Sequence, residues 1–297
     1  MKKLIIIVLL LSVVFGCGNN QSSKNEIKPI VTVSILPQKY FIDRITNGKI
    51  DVNVMVPEGN DPHTYEPSAK QMQNLSNSSA YFRMGYIEFE QAWMTKFEAL
   101  NPKMKIVDLS INANLIMPEE SHDHDHESDH HHHEGVDPHI WSSPVEAKKM
   151  CNIIFSNLTE LYPQYNDEFT ANYNQLNREI DSLDLYIKTQ LDGLETRKFM
   201  IYHSALAYFA RDYQLEQVAV EVDGKEPTPL DIKNIIELAK KENIKVIFVQ
   251  KQFNTHNAEV LSNEIKGKVV QVDPLGYDWM EITKKIADEI ALIYTVK

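Results

Sequence analysis

The chain has 297 residues, 43% of them hydrophobic and 24% charged, which supplies enough apolar surface for two compact domains with cores of their own. Its formal net charge is −12, from 30 basic against 42 acidic residues. A surface of that sign repels phosphate backbones and anionic substrates, which argues against nucleic acid as a partner.

The first segment, Met1-Lys2-Lys3, a mainly apolar run from Leu4 to Phe15 and then Gly16, reads as a bacterial export leader over residues 1–16. The run is shorter than the roughly 20 apolar residues of a membrane-spanning helix, so cleavage rather than retention is expected. Val14-Phe15-Gly16-Cys17 resembles the lipobox of bacterial lipoproteins. That resemblance implies that Cys17 is lipidated and that residues 17–28 form a polar tether, holding the body just outside a bacterial membrane, in a periplasm or at the cell surface. With Cys17 so used, only Cys151 remains, which excludes an intramolecular disulfide and a cysteine-based metal site. Cys151 sits in a helical pattern and reads as a buried structural thiol.

Strand-like runs follow at Ile30–Ser34, Asp51–Val56, Ala80–Met84 and Lys105–Asp108, with amphipathic helical stretches between them. A second series occurs at Lys198–Tyr202, Gln217–Glu221, Lys245–Val249 and Lys268–Val272. Alternation of this kind predicts an α/β fold of two lobes, each a parallel sheet with flanking helices. Between the series, Phe169, Tyr173, Leu176, Ile180, Leu183, Ile187, Leu191 and Leu194 recur in steps of three and four. One long rigid helix joining the lobes is expected, and packing of its stripe within the chain is preferred to a coiled-coil dimer, so the protein is read as a monomer. The expected boundaries are a first lobe over 29–163, a linking helix over 164–194 and a second lobe over 195–297. Capping boxes are expected at Ser68–Gln71 and Ser143–Glu146, with a further helix start at Thr228–Asp231.

Seven of the 11 histidines, His122, His124, His126, His130, His131, His132 and His133, crowd into a loop over 119–135, interleaved with acidic residues. No packed core forms from such a composition, and imidazoles on a loose chain take up divalent ions as weak, multiple, auxiliary sites.

Of the other four, His256 reads as an ordinary surface histidine. His63 and His203 follow predicted strands, His139 precedes a capped helix, and Asp273 directly follows the last strand. Ligands bind beyond the carboxyl ends of parallel strands, so these four groups are expected to meet in a cleft between the lobes. Asp-Pro-His occurs twice, at 61–63 and 137–139, and the proline restricts the backbone beside each candidate ligand.

The motifs Asp61-Pro62-His63 with Tyr65-Glu66-Pro67-Ser68, Asp137-Pro138-His139-Ile140-Trp141, Tyr202-His203, Gly224-Lys225-Glu226-Pro227-Thr228 and Val272-Asp273-Pro274-Leu275-Gly276 resemble those of the zinc and manganese receptors of ABC importers. The resemblance runs from about Ile30 to the end of the chain. It implies metal ligands at His63, His139, His203 and Asp273, a partner permease with its ATPase, and Zn2+ as the transported ligand. Manganese receptors of this family tend to carry a carboxylate where this chain has His203, which makes manganese the alternative. The chain departs from the family pattern at Ser204 and at Val249-Gln250-Lys251-Gln252-Phe253, neither of which holds a family ligand.

Three imidazoles and one carboxylate suit tetrahedral zinc. The rival from another class is a zinc hydrolase, in which water takes the fourth position. No His-Glu-x-x-His helix is read in the sequence, the one such string, His126-Glu127-Ser128-Asp129-His130, falling in the histidine-rich loop, and a ligating Asp273 leaves no position for that water, so the chain is read as a receptor and not an enzyme. Some relatives are called adhesins, a role for which this sequence offers no motif.

Overall fold

The computed structural model describes residues 28–117, 135–222, 224–253 and 255–294. The leader, Cys17 and the seven clustered histidines lie outside the described residues.

The first sheet contains β1 (Ile30–Val33), β2 (Asp51–Val54), β3 (Ser78–Arg83) and β4 (Lys105–Asp108), all parallel in the order β2-β1-β3-β4. The second contains β5 (Lys198–Ile201), β6 (Glu216–Ala219), β7 (Val246–Gln250) and β8 (Lys268–Val272), parallel in the matching order β6-β5-β7-β8. In each lobe the chain reverses its direction of travel across the sheet after the second strand. The crevice this leaves at the carboxyl ends, between β1 and β3 and between β5 and β7, is where open α/β sheets bind ligands. All five residues of β7 are buried, as a central parallel strand covered on both faces requires.

Helices α1 (Leu36–Thr46), α2 (Ala69–Ser76), α3 (Glu88–Leu100) and α4 (Pro144–Leu161) serve the first lobe. Helices α6 (Ala207–Asp212), α7 (Pro229–Lys241), α8 (His256–Ile265) and α9 (Trp279–Tyr294) serve the second. The box at Ser68 forms in full, Ser68 Oγ accepting from Gln71 N–H while the Gln71 side chain returns to the Ser68 amide. Thr228 and Asp231 form another. At Ser143 only half forms: Ser143 Oγ caps Glu146 N–H, but the Glu146 carboxylate turns inward to Arg211 and the Asn114 amide. Burial of Glu146 beside a cation outweighs the local return bond.

Between the lobes runs α5 (Asn166–Gln190), 25 residues or about 37 Å. Phe169, Leu176, Ile180, Leu183 and Ile187 form its buried stripe against α1 and α4 on one side and α9 on the other. Polar ties repeat this division: Glu179 pairs with Arg44 of the first lobe, while Tyr186 donates to Asp288 of the second at 2.6 Å. The helix ends short of Leu194, which stays buried, because Gly193 at φ +67° turns the chain toward β5. One apolar core is continuous from Val31 through this stripe to Tyr294, so burial opposes hinge motion between the lobes. Cys151 lies in that core, and burial pushes its thiol pKa up, leaving it inert.

Two tryptophans fasten the lobes just behind the cleft. Trp141 Nε1 donates to the Pro274 carbonyl at 2.8 Å, and Trp279 Nε1 donates to the Trp141 carbonyl at 2.7 Å. Each interlobe contact sits within two residues of a predicted ligand, His139 or Asp273.

Candidate metal centre

The repeated Asp-Pro-His has one local structure. Asp61 Oδ1 accepts the backbone N–H of His63 at 2.9 Å, and Asp137 Oδ1 accepts that of His139 at 2.8 Å. An aspartate that satisfies the amide two residues on closes a tight turn, and the intervening proline stiffens it. The two turns then diverge. Asp137 Oδ1 also accepts from His139 Nδ1 at 2.9 Å, whereas His63 Nδ1 donates across to Glu88, at the start of α3, at 2.9 Å.

Glu88 is placed by a buried neighbour. Glu90 accepts Met84 N–H at 2.6 Å, Gly85 N–H at 2.7 Å and the Ser34 hydroxyl, fixing the turn from β3 into α3. Only glycine fits at 85, where φ is +106° and a Cβ would lie 2.5 Å from Ser110 Oγ. Burial raises the Glu90 pKa to about 7 in spite of its hydrogen bonds.

His203 emerges from β5. Gln250 at the end of β7 holds its backbone at both ends, accepting His203 N–H at 3.2 Å and donating to His203 O at 2.5 Å. The ring stacks on Phe253, and Nδ1 donates to Glu221, just past β6, at 2.5 Å.

These supports bring the three histidines together. Ring centroids lie 5.4 Å apart for His63 and His203 and 5.2 Å for His139 and His203. Nε2 of His139 and Nε2 of His203 face each other at 3.3 Å. Two ligand nitrogens on a tetrahedral zinc, at bond lengths of about 2.0–2.1 Å, stand roughly 3.3–3.4 Å apart. The side chains of His139 and His203 are 12% and 18% exposed, while His63, at 36%, faces the cleft mouth. Burial, together with the neighbouring His203 and His63, holds the His139 pKa below its ordinary value against the pull of Asp137. Asp137 is itself held low, because the bonds and charge of His139 overcome the rise that burial alone gives.

Asp273 is 6% exposed directly after β8. Its neighbours Pro274 and Leu275 line the cleft with the histidines, but its carboxylate stands behind that lining, contacting Gln252 Nε2 at 3.3 Å and Lys251 Nζ at 3.5 Å. Among the described residues no three His, Cys, Asp or Glu groups already form a coordination sphere. The arrangement is a facing imidazole pair with a third ring beside it, and a carboxylate that faces Lys251 and Gln252 rather than the rings. Met117 and Gly135, the described residues on either side of the seven clustered histidines, line the outer part of the same cleft.

Two parallel-sheet lobes on one rigid connecting helix, with imidazoles from both converging between them, define a rigid two-lobed substrate-binding protein. The chain belongs to the family of the zinc-uptake complex component A, periplasmic (ZnuA), whose model matches residues 31–292. It is 28% identical to the high-affinity zinc uptake system protein ZnuA of Bacillus subtilis, over 92% of this chain and 88% of that protein. It is also 28% identical to the zinc-binding lipoprotein AdcA of Streptococcus pneumoniae, of which it spans 56%. A crystal structure of ZnuA superposes with TM-score 0.81 and 36% identity, covering 90% of this chain and all of the other. The laminin-binding protein Lmb of Streptococcus agalactiae, at 20% identity and TM-score 0.76, shares the fold.

Sequence reasoning passed over Glu88, Glu221 and the carboxylate of Asp137, which orient the three rings. Asp137 carried a signal in the repeated Asp-Pro-His. Glu88 and Glu221 carried none, because they reach their histidines across 25 and 18 residues of chain.

Proposed function

We propose that this protein is an extracytoplasmic receptor that binds Zn2+ with high affinity and delivers it to an ABC importer, through a permease and its ATPase. His63, His139, His203 and Asp273 are the metal ligands, on lobes bounded at 29–163 and 195–297 about the linking helix 164–194. The facing Nε2 atoms of His139 and His203 carry this reading. With both Nδ1 protons given to carboxylates, two lone pairs point into one space, where only a cation lowers the energy.

Nitrogen-rich coordination favours zinc over manganese, which prefers oxygen. Completion of the sphere by Asp273 leaves no position for a nucleophilic water, which supports binding and transport rather than hydrolysis. Lipidation of Cys17 tethers the monomer to the membrane beside its permease. The seven loop histidines form loose, multiple auxiliary sites for divalent ions.

Metal analysis of the purified protein tests this. One tight zinc that survives deletion of residues 120–135 and disappears on His203→Ala is expected, while saturable manganese binding with zinc excluded overturns it.

A further inference from the structure

Lys251 follows β7 and stands between the lobes. Its Nζ lies 3.2 Å from Glu58 Oε1, in the first-lobe loop that leads to His63, and 3.5 Å from Asp273 Oδ2 in the second lobe. The lysine side chain is 49% exposed, so it can swing without disturbing the core. Asp273 is held differently at its two oxygens. Oδ1 accepts from Gln252, while Oδ2 is buried and accepts no hydrogen bond among the described residues, leaving it to the ion pair with Lys251. A buried carboxylate oxygen with only a long ion pair is available to any cation that approaches more closely.

We propose that Lys251 is an internal cation that competes with the metal for Asp273, weakening the site and speeding release. The proposal rests on the reading of Asp273 as a ligand. Oδ2 cannot serve the ammonium and a divalent ion together, so metal entry displaces Lys251. Glu58 keeps the displaced ammonium at the cleft edge, from which it repels the bound ion and recaptures Asp273 when the ion leaves. A unit positive charge about 6 Å from a divalent ion weakens binding roughly tenfold even at a dielectric near that of water. A purely structural strut between the lobes predicts the opposite sign, since cutting it loosens the site and weakens binding.

Competition with a chelator of known zinc affinity, at low and high salt, decides between them for the purified protein and its Lys251→Gln, Lys251→Arg, Asp273→Asn and Lys251→Gln/Asp273→Asn variants. Lys251→Gln is expected to bind zinc about tenfold more tightly and release it to chelator more slowly, with the gain shrinking as salt screens the exposed charge. Lys251→Arg keeps the original affinity, and the gain vanishes in the Asp273→Asn background. Unchanged or weaker binding in Lys251→Gln, with Asp273→Asn weakened, overturns the proposal and leaves Asp273 a ligand. Unchanged binding in Asp273→Asn removes Asp273 from the site and the proposal with it.

Discussion

Nε2 of His139 and Nε2 of His203 face each other at 3.3 Å across the cleft, while the Nδ1 of each donates to its own carboxylate, Asp137 or Glu221. One ring comes from the segment before α4 and the other from the end of β5, so this pair joins the two lobes at the point where a metal is proposed to sit. The space between them admits a proton or a metal ion, and the two compete.

That competition sets a pH dependence. Only neutral imidazole ligates zinc, and burial keeps His139 neutral to below its ordinary value of 6.5. Zinc affinity is therefore expected to be nearly constant above about pH 7 and to fall as pH drops through the range of about 6.5 to 5, where imidazoles protonate. Chelator-competition titrations across this range check it, and a flat profile down to about pH 5 contradicts imidazole ligation.

The carboxylates behind the rings act by fixing tautomer and orientation. Glu221→Ala and Asp137→Ala are each expected to weaken zinc binding by roughly 10- to 100-fold without changing the number of ions bound. Glu88→Ala has the smaller effect, because His63 and Glu88 are 36% and 43% exposed and water can replace the lost acceptor. Equal losses in all three variants contradict this ordering.

Glu90 gives the fold its own pH dependence. Its pKa is raised from 4.5 to about 7 in the folded protein, so between these values the native state holds a proton that the unfolded state has lost. Stability contributed by this group is full below about pH 4.5, declines as pH rises toward 7 and is flat above, a span on the order of 3 kcal/mol. His139, held low, contributes in the opposite direction, its share falling as pH drops below about 6.5. Denaturant unfolding of Glu90→Gln against the unsubstituted protein, at about pH 5 and 8, isolates the glutamate. The decline is expected to shrink in the variant, and an unchanged pH profile contradicts the assignment.

The linking helix is a shared core element rather than a spacer. Leu176 and Ile180 are 0% and 1% exposed in the core common to both lobes, and truncating either to alanine is expected to cost about 2–5 kcal/mol. Urea unfolding should remain a single transition with a lower midpoint. A separate early transition of one lobe contradicts the shared core.

The fold was legible because its short apolar strand runs, alternating with helical stretches, and the stripe from Phe169 to Ile187 are local signals, and all eight strands lie within two residues of their predicted positions. His63 and His203 could be placed because each follows a strand whose carboxyl end the topology makes functional. What stayed hidden depends on side chains that turn away from their local role. Glu146 abandons its capping box for Arg211, and Asp273 faces Lys251 rather than the histidines. Partners separated by tens of residues, such as His63 and Glu88, meet only through the register of the whole lobe.

The most direct test is zinc stoichiometry and chelator-competition affinity of the protein against its His139→Ala/His203→Ala variant. One tight zinc in the first and none in the second is the predicted result. Tight stoichiometric zinc retained in the double variant contradicts the proposal that the facing imidazoles hold the metal.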